Sequence, residues 1–244
     1  MYMSLAQAKI KSEILPRIKE VYLKIIASRL KSAEGCRHAW LLQNEKAENE
    51  FITLSLWSSR RAIEAFVTTV AYQEMMKELE TILAESSEWK MQLSENLTLE
   101  YVPVSEKPLI DTYDVRTEMD AEMQDTGAVF VRVFSLSIKV DRKEEFVQLY
   151  QSVIIAELKK VSGCRAAYLC ENRMNDHAYI SVTLWDSRNH AEKYEQEGVF
   201  TRLVDEVKHT FSDLSTVVTG KHAPVKAITS EDRRIDRFNV VAKL

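Results

Sequence analysis

Short runs of alternating apolar and polar residues predict β-strands at regular intervals along the chain. In residues 128–140, Phe134, Leu136 and Ile138 lie on one side with serines between them, which is typical of a strand with one buried face. The apolar spacing then becomes helical, and Gly163 follows the last apolar turn. The pattern therefore predicts a strand and then a helix that ends at this glycine.

Two strands and a second helix are predicted after the glycine. The strands cover residues 165–172 and 179–185, and Ser187 stands where a serine can cap a helix. A final strand is predicted near residues 214–219. This order of strand, helix, strand, strand, helix and strand is that of a ferredoxin-like βαββαβ unit, which carries both helices on one face of its sheet.

The first half of the chain repeats the second half. A shift of 128 residues aligns Gly35-Cys36 with Gly163-Cys164 and Leu56-Trp57 with Leu184-Trp185, and about 80 residues align without a gap. The sequence therefore predicts a duplicated α+β domain. Its expected parts are a first repeat at 1–104, a linker at 105–127, a second repeat at 128–225 and a tail at 226–244.

The predicted sheets also suggest how the parts pack. Because each sheet has helices on only one face, its other face must be covered, and we expect the two repeats to pack sheet to sheet as an intramolecular α+β barrel. The final strand of the first repeat is expected near 97–102. The tail contains a strand-like run, Phe238–Ala242, whose backbone needs a partner strand. It is expected either to join the edge of one sheet or to cross to a second chain and form a homodimer.

Composition excludes several classes of protein. The net charge is −4, with 33 basic and 37 acidic residues, which gives no basic surface for nucleic acid. Only five glycines are present, and they are too scattered to form a phosphate-binding loop. Three cysteines without a close pair favour a cytoplasmic protein, and the lack of a long uninterrupted apolar run predicts no membrane span.

The strand faces supply the candidate binding residues. One face of the strand at 51–57 is aliphatic and is expected to pack on the helices, while the other carries aromatic and hydroxyl side chains and is expected to line a pocket. Indoles there can stack on a planar ring or simply pack the end of the barrel, and hydroxyls can bond a substrate oxygen. The candidate substrate-binding residues of the two repeats are Trp40, Thr53, Ser55, Trp57, Tyr168, Ser181, Thr183 and Trp185.

His38 is the candidate catalytic residue. If it faces the same pocket, its imidazole can take a proton from a phenolic substrate near neutral pH. The alternative is a histidine that only forms a hydrogen bond at the barrel interface. The second repeat has Ala166 at this position, so at most one pocket would use such a base. The other histidines lack metal-ligand spacing, and no metal site is predicted.

Both repeats resemble the antibiotic biosynthesis monooxygenase (ABM) domain of the dimeric α+β barrel superfamily. The resemblance is carried by the two Gly-Cys pairs, the strands that end in Leu-Trp, the serine that follows each of them, and the aromatic positions Tyr72 and Phe200. It implies a ferredoxin-like fold and a small aromatic ligand. Because the family includes cofactor-free oxygenases of phenols or quinols as well as haem-degrading enzymes, the resemblance alone does not choose between these activities.

The residues that the resemblance implies for haem are missing. Haem-degrading members use an Asn on the first strand, and a Trp and a His ligand on the second helix. His209 lies about a turn or more beyond the expected ligand position, so haem stays an alternative only through a shifted geometry. The three aligned positions hold Gln7 or Ser135, Phe66 or Tyr194, and Met76 or Val204.

Two functions therefore stay open. The first is a cofactor-independent, monooxygenase-like protein that binds a planar aromatic or quinoid molecule in a barrel pocket. The second is a non-catalytic module that binds a small ligand or a protein partner. An open cavity that reaches His38 would favour the enzyme, whereas a pocket filled by its own tryptophan and tyrosine side chains would favour the module.

Overall fold

The repeat in the sequence is present as two segments with the same order of helices and strands. The computed structural model describes residues 1–93, 99–119, 130–175, 177–212 and 235–244. Beyond residue 2, these residues form two compact units: unit 1 comprises 3–111 and 241–244, and unit 2 comprises 112–240. Each unit has its own helices and strands.

Unit 1 contains the first repeat. Between its first two strands the chain forms a 3₁₀ turn, Ser12–Arg17, and then a helical stretch interrupted by a π-helical turn, Leu23–Ala27. Pro16 is accommodated in the 3₁₀ turn, ahead of the first α-helix. The regular elements are β1 (Tyr2–Lys9), α1 (Ile18–Tyr22), α2 (Ser28–Ser32), β2 (Cys36–Asn44), β3 (Glu50–Trp57), α3 (Arg60–Val67) and α4 (Val70–Glu80).

Unit 2 repeats this order. Its first helical stretch also contains a π-helical turn, Tyr150–Ile155, at the position equivalent to that of unit 1. Its two-strand hairpin is followed again by two short helices. The repeated elements are β7 (Phe130–Ser137), α5 (Lys143–Leu149), α6 (Ala156–Leu158), β8 (Cys164–Asn172), β9 (Ala178–Trp185), α7 (Arg188–Gln196) and α8 (Val199–Val207).

The serine caps and the glycines after the first helical stretches are confirmed in both repeats. Ser59 accepts a hydrogen bond from a backbone N–H of α3, and Ser187 does the same for α7. Gly35 and Gly163 end the first helical stretches with φ values of 85° and 80°, which favour glycine. A side chain at Gly163 would also collide with the ring of His190 at 2.3 Å. These local signals are sufficient to set the turn before each hairpin.

The fourth strand of the first repeat pairs differently from the prediction. In the first repeat, β5 (Leu99–Ser105) overlaps the strand predicted at 97–102 but pairs with β4 (Glu85–Leu93) in a separate two-stranded sheet. The strand predicted at 214–219 lies outside the described residues. Pairing between β4 and β5 satisfies backbone groups that either strand would leave unpaired on its own.

Two segments outside the predicted repeats contribute strands to unit 2. β10 (Ile235–Lys243) contains the strand-like run of the tail and pairs antiparallel with β7, so the tail joins a sheet of its own chain. β6 (Leu109–Glu118) lies within the segment predicted as a linker and pairs with β8. These strands cover what would otherwise be open sheet edges.

The strands are those of a closed antiparallel barrel, with the order β1-β3-β2 in unit 1 and β10-β7-β9-β8-β6 in unit 2. Both repeats have a strand, a helical stretch, two antiparallel strands and two helices, in that order. The predicted α+β class and the two ferredoxin-like repeats are therefore confirmed. None of the helices in the described ranges is long and apolar enough to cross a membrane.

The pairing of β10 with β7 predicts that the tail contributes strongly to stability. Phe238 is 3% exposed and lies opposite Val131, so Phe238→Ala should lower the free energy of unfolding by about 3–5 kcal/mol. Asn239, the next residue, is exposed, and Asn239→Ala should change it by less than about 0.5 kcal/mol. Urea unfolding followed by circular dichroism measures both. Equal effects would show that β10 is not packed in the sheet.

Candidate functional site

Each unit contains a cavity between its helices and one face of its sheet. The cavity of unit 1 measures about 110 Å³ and that of unit 2 about 40 Å³. Many of their lining residues are equivalent in the repeat. The equivalent pairs include Tyr22 and Tyr150, Thr53 and Ser181, Ser55 and Thr183, Phe66 and Tyr194, and Tyr72 and Phe200.

The strand face that lines the cavity is the one with aromatic and hydroxyl side chains. In unit 1, Thr53, Ser55 and Trp57 line the cavity together with helical residues, and the Trp57 ring lies 5.4 Å from the ring of Phe66 on α3. The expectation that the aliphatic face of β3 packs on the helices is therefore wrong. Trp57 Nε1 donates to Ser55 Oγ at 2.9 Å, so this face can be buried without leaving that N–H unpaired.

His38 and Trp40 lie on the opposite face of the unit 1 sheet. His38 pairs with Leu56 in the β2–β3 ladder, which places it away from the cavity-lining face, and its ring stacks on that of Trp40 at 5.6 Å. Burial lowers the pKa of His38. In unit 2, Tyr168 pairs with Val182 and lies on the corresponding face. The structure therefore does not bring these three side chains together with the hydroxyls of the cavities.

The remaining candidates do line the cavities or support them. Ser181 and Thr183 line the cavity of unit 2, as Thr53 and Ser55 line that of unit 1. Trp185 is fully buried, donates to Thr183 Oγ1 at 2.9 Å, and lies 5.1 Å from the ring of Tyr194. The alternation of residues along β3 and β9 correctly predicts that these groups share one face of the strand. The prediction that the other face packs on the helices is wrong, because both faces are apolar enough to be buried.

The first strand of each repeat determines how large the cavity is. On β1 the inward positions hold Ser4, Ala6 and Ala8. The equivalent positions on β7 hold Arg132, Phe134 and Leu136, whose larger side chains occupy the space. Sequence reasoning missed this difference, although a comparison of the two aligned repeats position by position would have shown it.

Tyr22 lines the cavity of unit 1 and has a buried hydroxyl. The residue is 1% exposed, and its hydroxyl has no hydrogen-bond partner within the part of the chain that the structure describes. In unit 2 the hydroxyl of the equivalent Tyr150 shares a hydrogen bond with Ser181 Oγ at 2.7 Å. Burial raises the pKa of Tyr22, so its hydroxyl stays protonated and able to donate. An unpaired buried hydroxyl is costly, which is a reason to look for a ligand there.

Unit 2 has a buried ion pair where unit 1 has small or apolar side chains. Arg132 Nε lies 2.7 Å from Glu195 Oε1, and Glu195 Oε2 accepts from Arg237 at 2.6 Å. The Arg132 guanidinium lies over the ring of Phe200 at 4.9 Å. The positions equivalent to Arg132 and Glu195 hold Ser4 and a valine in unit 1. The two cavities therefore differ in charge as well as in size.

The described residues that line the unit 1 cavity include no histidine and no carboxylate. Its ionisable groups are the hydroxyls of Tyr22 and Tyr72, and burial raises the pKa of each. Across the described ranges, no cluster of His, Cys, Asp and Glu could hold a metal ion. His209 lies on the surface of unit 2, with Nε2 3.0 Å from Glu145 Oε1. The residues present do not fit haem, because the cavity wall offers iron no imidazole.

Comparison with known proteins supports one family. Residues 1–78 and 129–206 each match the sequence model described as "Antibiotic biosynthesis monooxygenase". No curated protein sequence shows a significant match. The two matched segments coincide with the β1–α4 and β7–α8 portions of the repeats.

Solved structures share the fold at low sequence identity. A candidate monooxygenase from Fusobacterium nucleatum has a TM-score of 0.69 and 10% identity, with 99% of this chain and 93% of that chain covered. An anthrone oxidase-like protein has a TM-score of 0.59 and 14% identity, with 100% and 92% covered. A haem-degrading enzyme from Listeria monocytogenes has a TM-score of 0.50 and 10% identity, with 98% and 99% covered. At these identities the likeness concerns the fold alone.

The ion pair of unit 2 predicts that removing Glu195 alone destabilises the chain more than removing Glu195 and Arg132 together. Glu195→Val should lower the free energy of unfolding by about 3–5 kcal/mol, because it leaves the buried Arg132 charge unpaired. Adding Arg132→Met should recover most of that loss, since a buried ion pair is often replaced by apolar side chains at little cost. Urea unfolding of the single and double variants measures this. Additive losses in the double variant would contradict the pairing.

Proposed function

The chain belongs to the antibiotic biosynthesis monooxygenase family, and from this premise we propose that unit 1 binds a single-ring phenol or quinol and presents it to dioxygen. The observation that carries the proposal is an open, largely apolar cavity with one unpartnered buried hydroxyl, that of Tyr22. Ligand sites commonly combine such an apolar wall with a few polar groups that orient the ligand.

The size of the cavity supports a small ring. A buried water needs roughly 10–15 Å³ of such space, so a cavity of about 110 Å³ holds a molecule of about eight non-hydrogen atoms. Phenols and benzoquinols with one small substituent have this size. Trp57, Phe66 and Tyr72 supply aromatic surface against which a planar ring can pack.

Two hydroxyls are placed to recognise a substrate oxygen. The Tyr22 hydroxyl is free to donate, as described above. Ser55 Oγ accepts the indole N–H of Trp57 and retains its own hydrogen for donation. A phenolate oxygen is a better acceptor than a phenol, so hydrogen bonds from these groups would lower the pKa of the bound substrate.

The proposed chemistry needs no reductant beyond the substrate. A quinol that loses a proton can transfer an electron to dioxygen, and recombination forms a carbon–oxygen bond. The balanced outcome is a hydroxyquinone and one water from one quinol and one dioxygen, with the quinol as the electron donor. Unit 1 would bind and orient the ring, stabilise the anion through Tyr22, and exclude bulk water.

His38 is not expected to accept the proton of the substrate, because it does not line the cavity. Because no base lines the cavity among the described residues, the substrate would ionise to solvent, and turnover should increase with pH up to the pKa of the bound substrate, which the hydrogen bonds hold below the value of about 10 of a free phenol. His38→Ala should then leave the pH profile unchanged. A loss of activity with a pKa near neutrality would restore His38 as the base through a second access route.

The cavity also supports a non-catalytic alternative. The absence of a base from the described cavity wall is compatible with a module that only binds a small aromatic ligand. The two alternatives differ in whether bound quinol consumes oxygen faster than free quinol. Haem is not retained, because the described cavity wall lacks a histidine.

Binding of p-cresol and toluene tests the role of Tyr22. We expect the wild-type chain to bind p-cresol more tightly, with the tryptophan fluorescence of the chain as the readout, because only p-cresol carries an oxygen for the tyrosine hydroxyl. Tyr22→Phe should weaken p-cresol binding about fivefold and leave toluene binding unchanged.

Tyr150→Phe is the matched control for this variant, since it removes the equivalent hydroxyl from unit 2. It should leave p-cresol binding unchanged. If both tyrosine variants weaken p-cresol equally, or if neither does, unit 1 does not bind a phenol through Tyr22.

Filling the cavity tests whether it is the site at all. Ala6→Phe with Ala8→Leu copies the larger side chains of β7 into β1, and it should abolish p-cresol binding and oxygen consumption with methylhydroquinone. Gln7→Ala, at an exposed position of the same strand, should change neither. Circular dichroism establishes that the filled variant is folded. Retained binding in a folded, filled variant would exclude this cavity.

A further inference from the structure

The cavity of unit 2 contains a buried guanidinium with unused hydrogen-bonding capacity. Arg132 lines this cavity and is 3% exposed. Within the described residues neither its Nη2 nor its Nε forms a hydrogen bond of good geometry, although Nε lies 2.7 Å from Glu195 Oε1. Because a buried donor without a partner is costly, an acceptor supplied by a ligand at Nη2 would be stabilising.

The charges around Arg132 favour an anion. Among the described residues, Glu195 on α7 and Arg237 on β10 are the charged groups near it, and one carboxylate there serves two guanidinium groups. The cluster carries a net charge of about +1 with its members in their ordinary ionised states. Burial lowers the pKa of Arg132, and a second carboxylate would offset the cost of keeping this charge buried.

A second donor faces the same cavity. Trp185 Nε1 donates to one of the two lone pairs of Thr183 Oγ1 at 2.9 Å, so the hydrogen of that hydroxyl is left for another acceptor. Thr183 lines the cavity with Arg132. The rest of the wall is mainly apolar and includes Phe134, Leu136 and Phe200. A ligand that matches this wall has an oxygen-rich anionic end and a short apolar end.

We propose that unit 2 is a separate binding site for a short monocarboxylate of acetate size, held by Arg132 and Thr183. At roughly 10–15 Å³ per water molecule, a cavity of about 40 Å³ holds about three to four non-hydrogen atoms, which is the size of acetate. The carboxylate accepts from Nη2 and from the threonine hydroxyl, and the methyl group packs on the aromatic wall. The site does not depend on the function proposed for unit 1.

Carbon-13 NMR titration of the full chain with carboxyl-labelled acetate tests the proposal. We expect saturable broadening or shifting of the carboxyl signal with the wild-type chain. Arg132→Met keeps the volume of the side chain, and Glu195 retains Arg237 as a partner, so the variant should fold and bind acetate at least about tenfold more weakly. Arg132→Lys should restore part of the binding, since it returns the charge without the planar fork.

Three outcomes would overturn the proposal. Acetate binding that is unchanged in Arg132→Met would place the ligand elsewhere. Displacement of acetate by neutral acetamide at equal concentration would show that the charge is not recognised, and equal displacement by chloride would show that the carboxylate is not. p-Cresol binding in Arg132→Met and acetate binding in Tyr22→Phe should both equal wild type, so failure of one site is distinguishable from failure of the other.

Discussion

In each repeat, a hydrogen bond from a buried indole N–H to the hydroxyl two residues before it allows the polar face of a strand to pack against the helices. Trp57 donates to Ser55 and Trp185 to Thr183, each at 2.9 Å. Because residues two apart on a strand share a face, both groups can turn toward the helices while satisfying each other. This pairing lets a strand bury its polar face, and the cavities form where that face meets the helices.

The two repeats share this hydrogen bond but differ in the side chains of their first strand. Small side chains at Ser4, Ala6 and Ala8 leave space in unit 1, whereas Arg132 and its neighbours occupy that space in unit 2. An arginine can be buried there because α7 and the tail strand supply Glu195 and Arg237 around it. One scaffold thus carries a neutral cavity and a charged one, which is why we assign different ligands to them.

The proposed chemistry of unit 1 depends on electrostatics rather than on a base. Burial keeps the Tyr22 hydroxyl protonated and leaves it unpaired in the described structure, so it acts best on an oxygen that gains negative charge. A quinol provides such an oxygen together with its own electrons. The family relationship is consistent with a reaction that needs no added reductant. The proposed substrate is inferred from the cavity itself.

The sequence by itself determined the duplication, the two ferredoxin-like repeats, the capped helices and the strand in the tail. These depend on local patterns, such as alternation, a serine at a helix start and a glycine with positive φ, which neighbouring residues suffice to specify. Only the tertiary structure decided which strand face meets the helices, that β10 pairs with β7, and that His38 lies away from Ser55. Both faces of these strands are apolar enough to be buried, and edge pairing joins residues about 100 positions apart, so local pattern cannot settle either question.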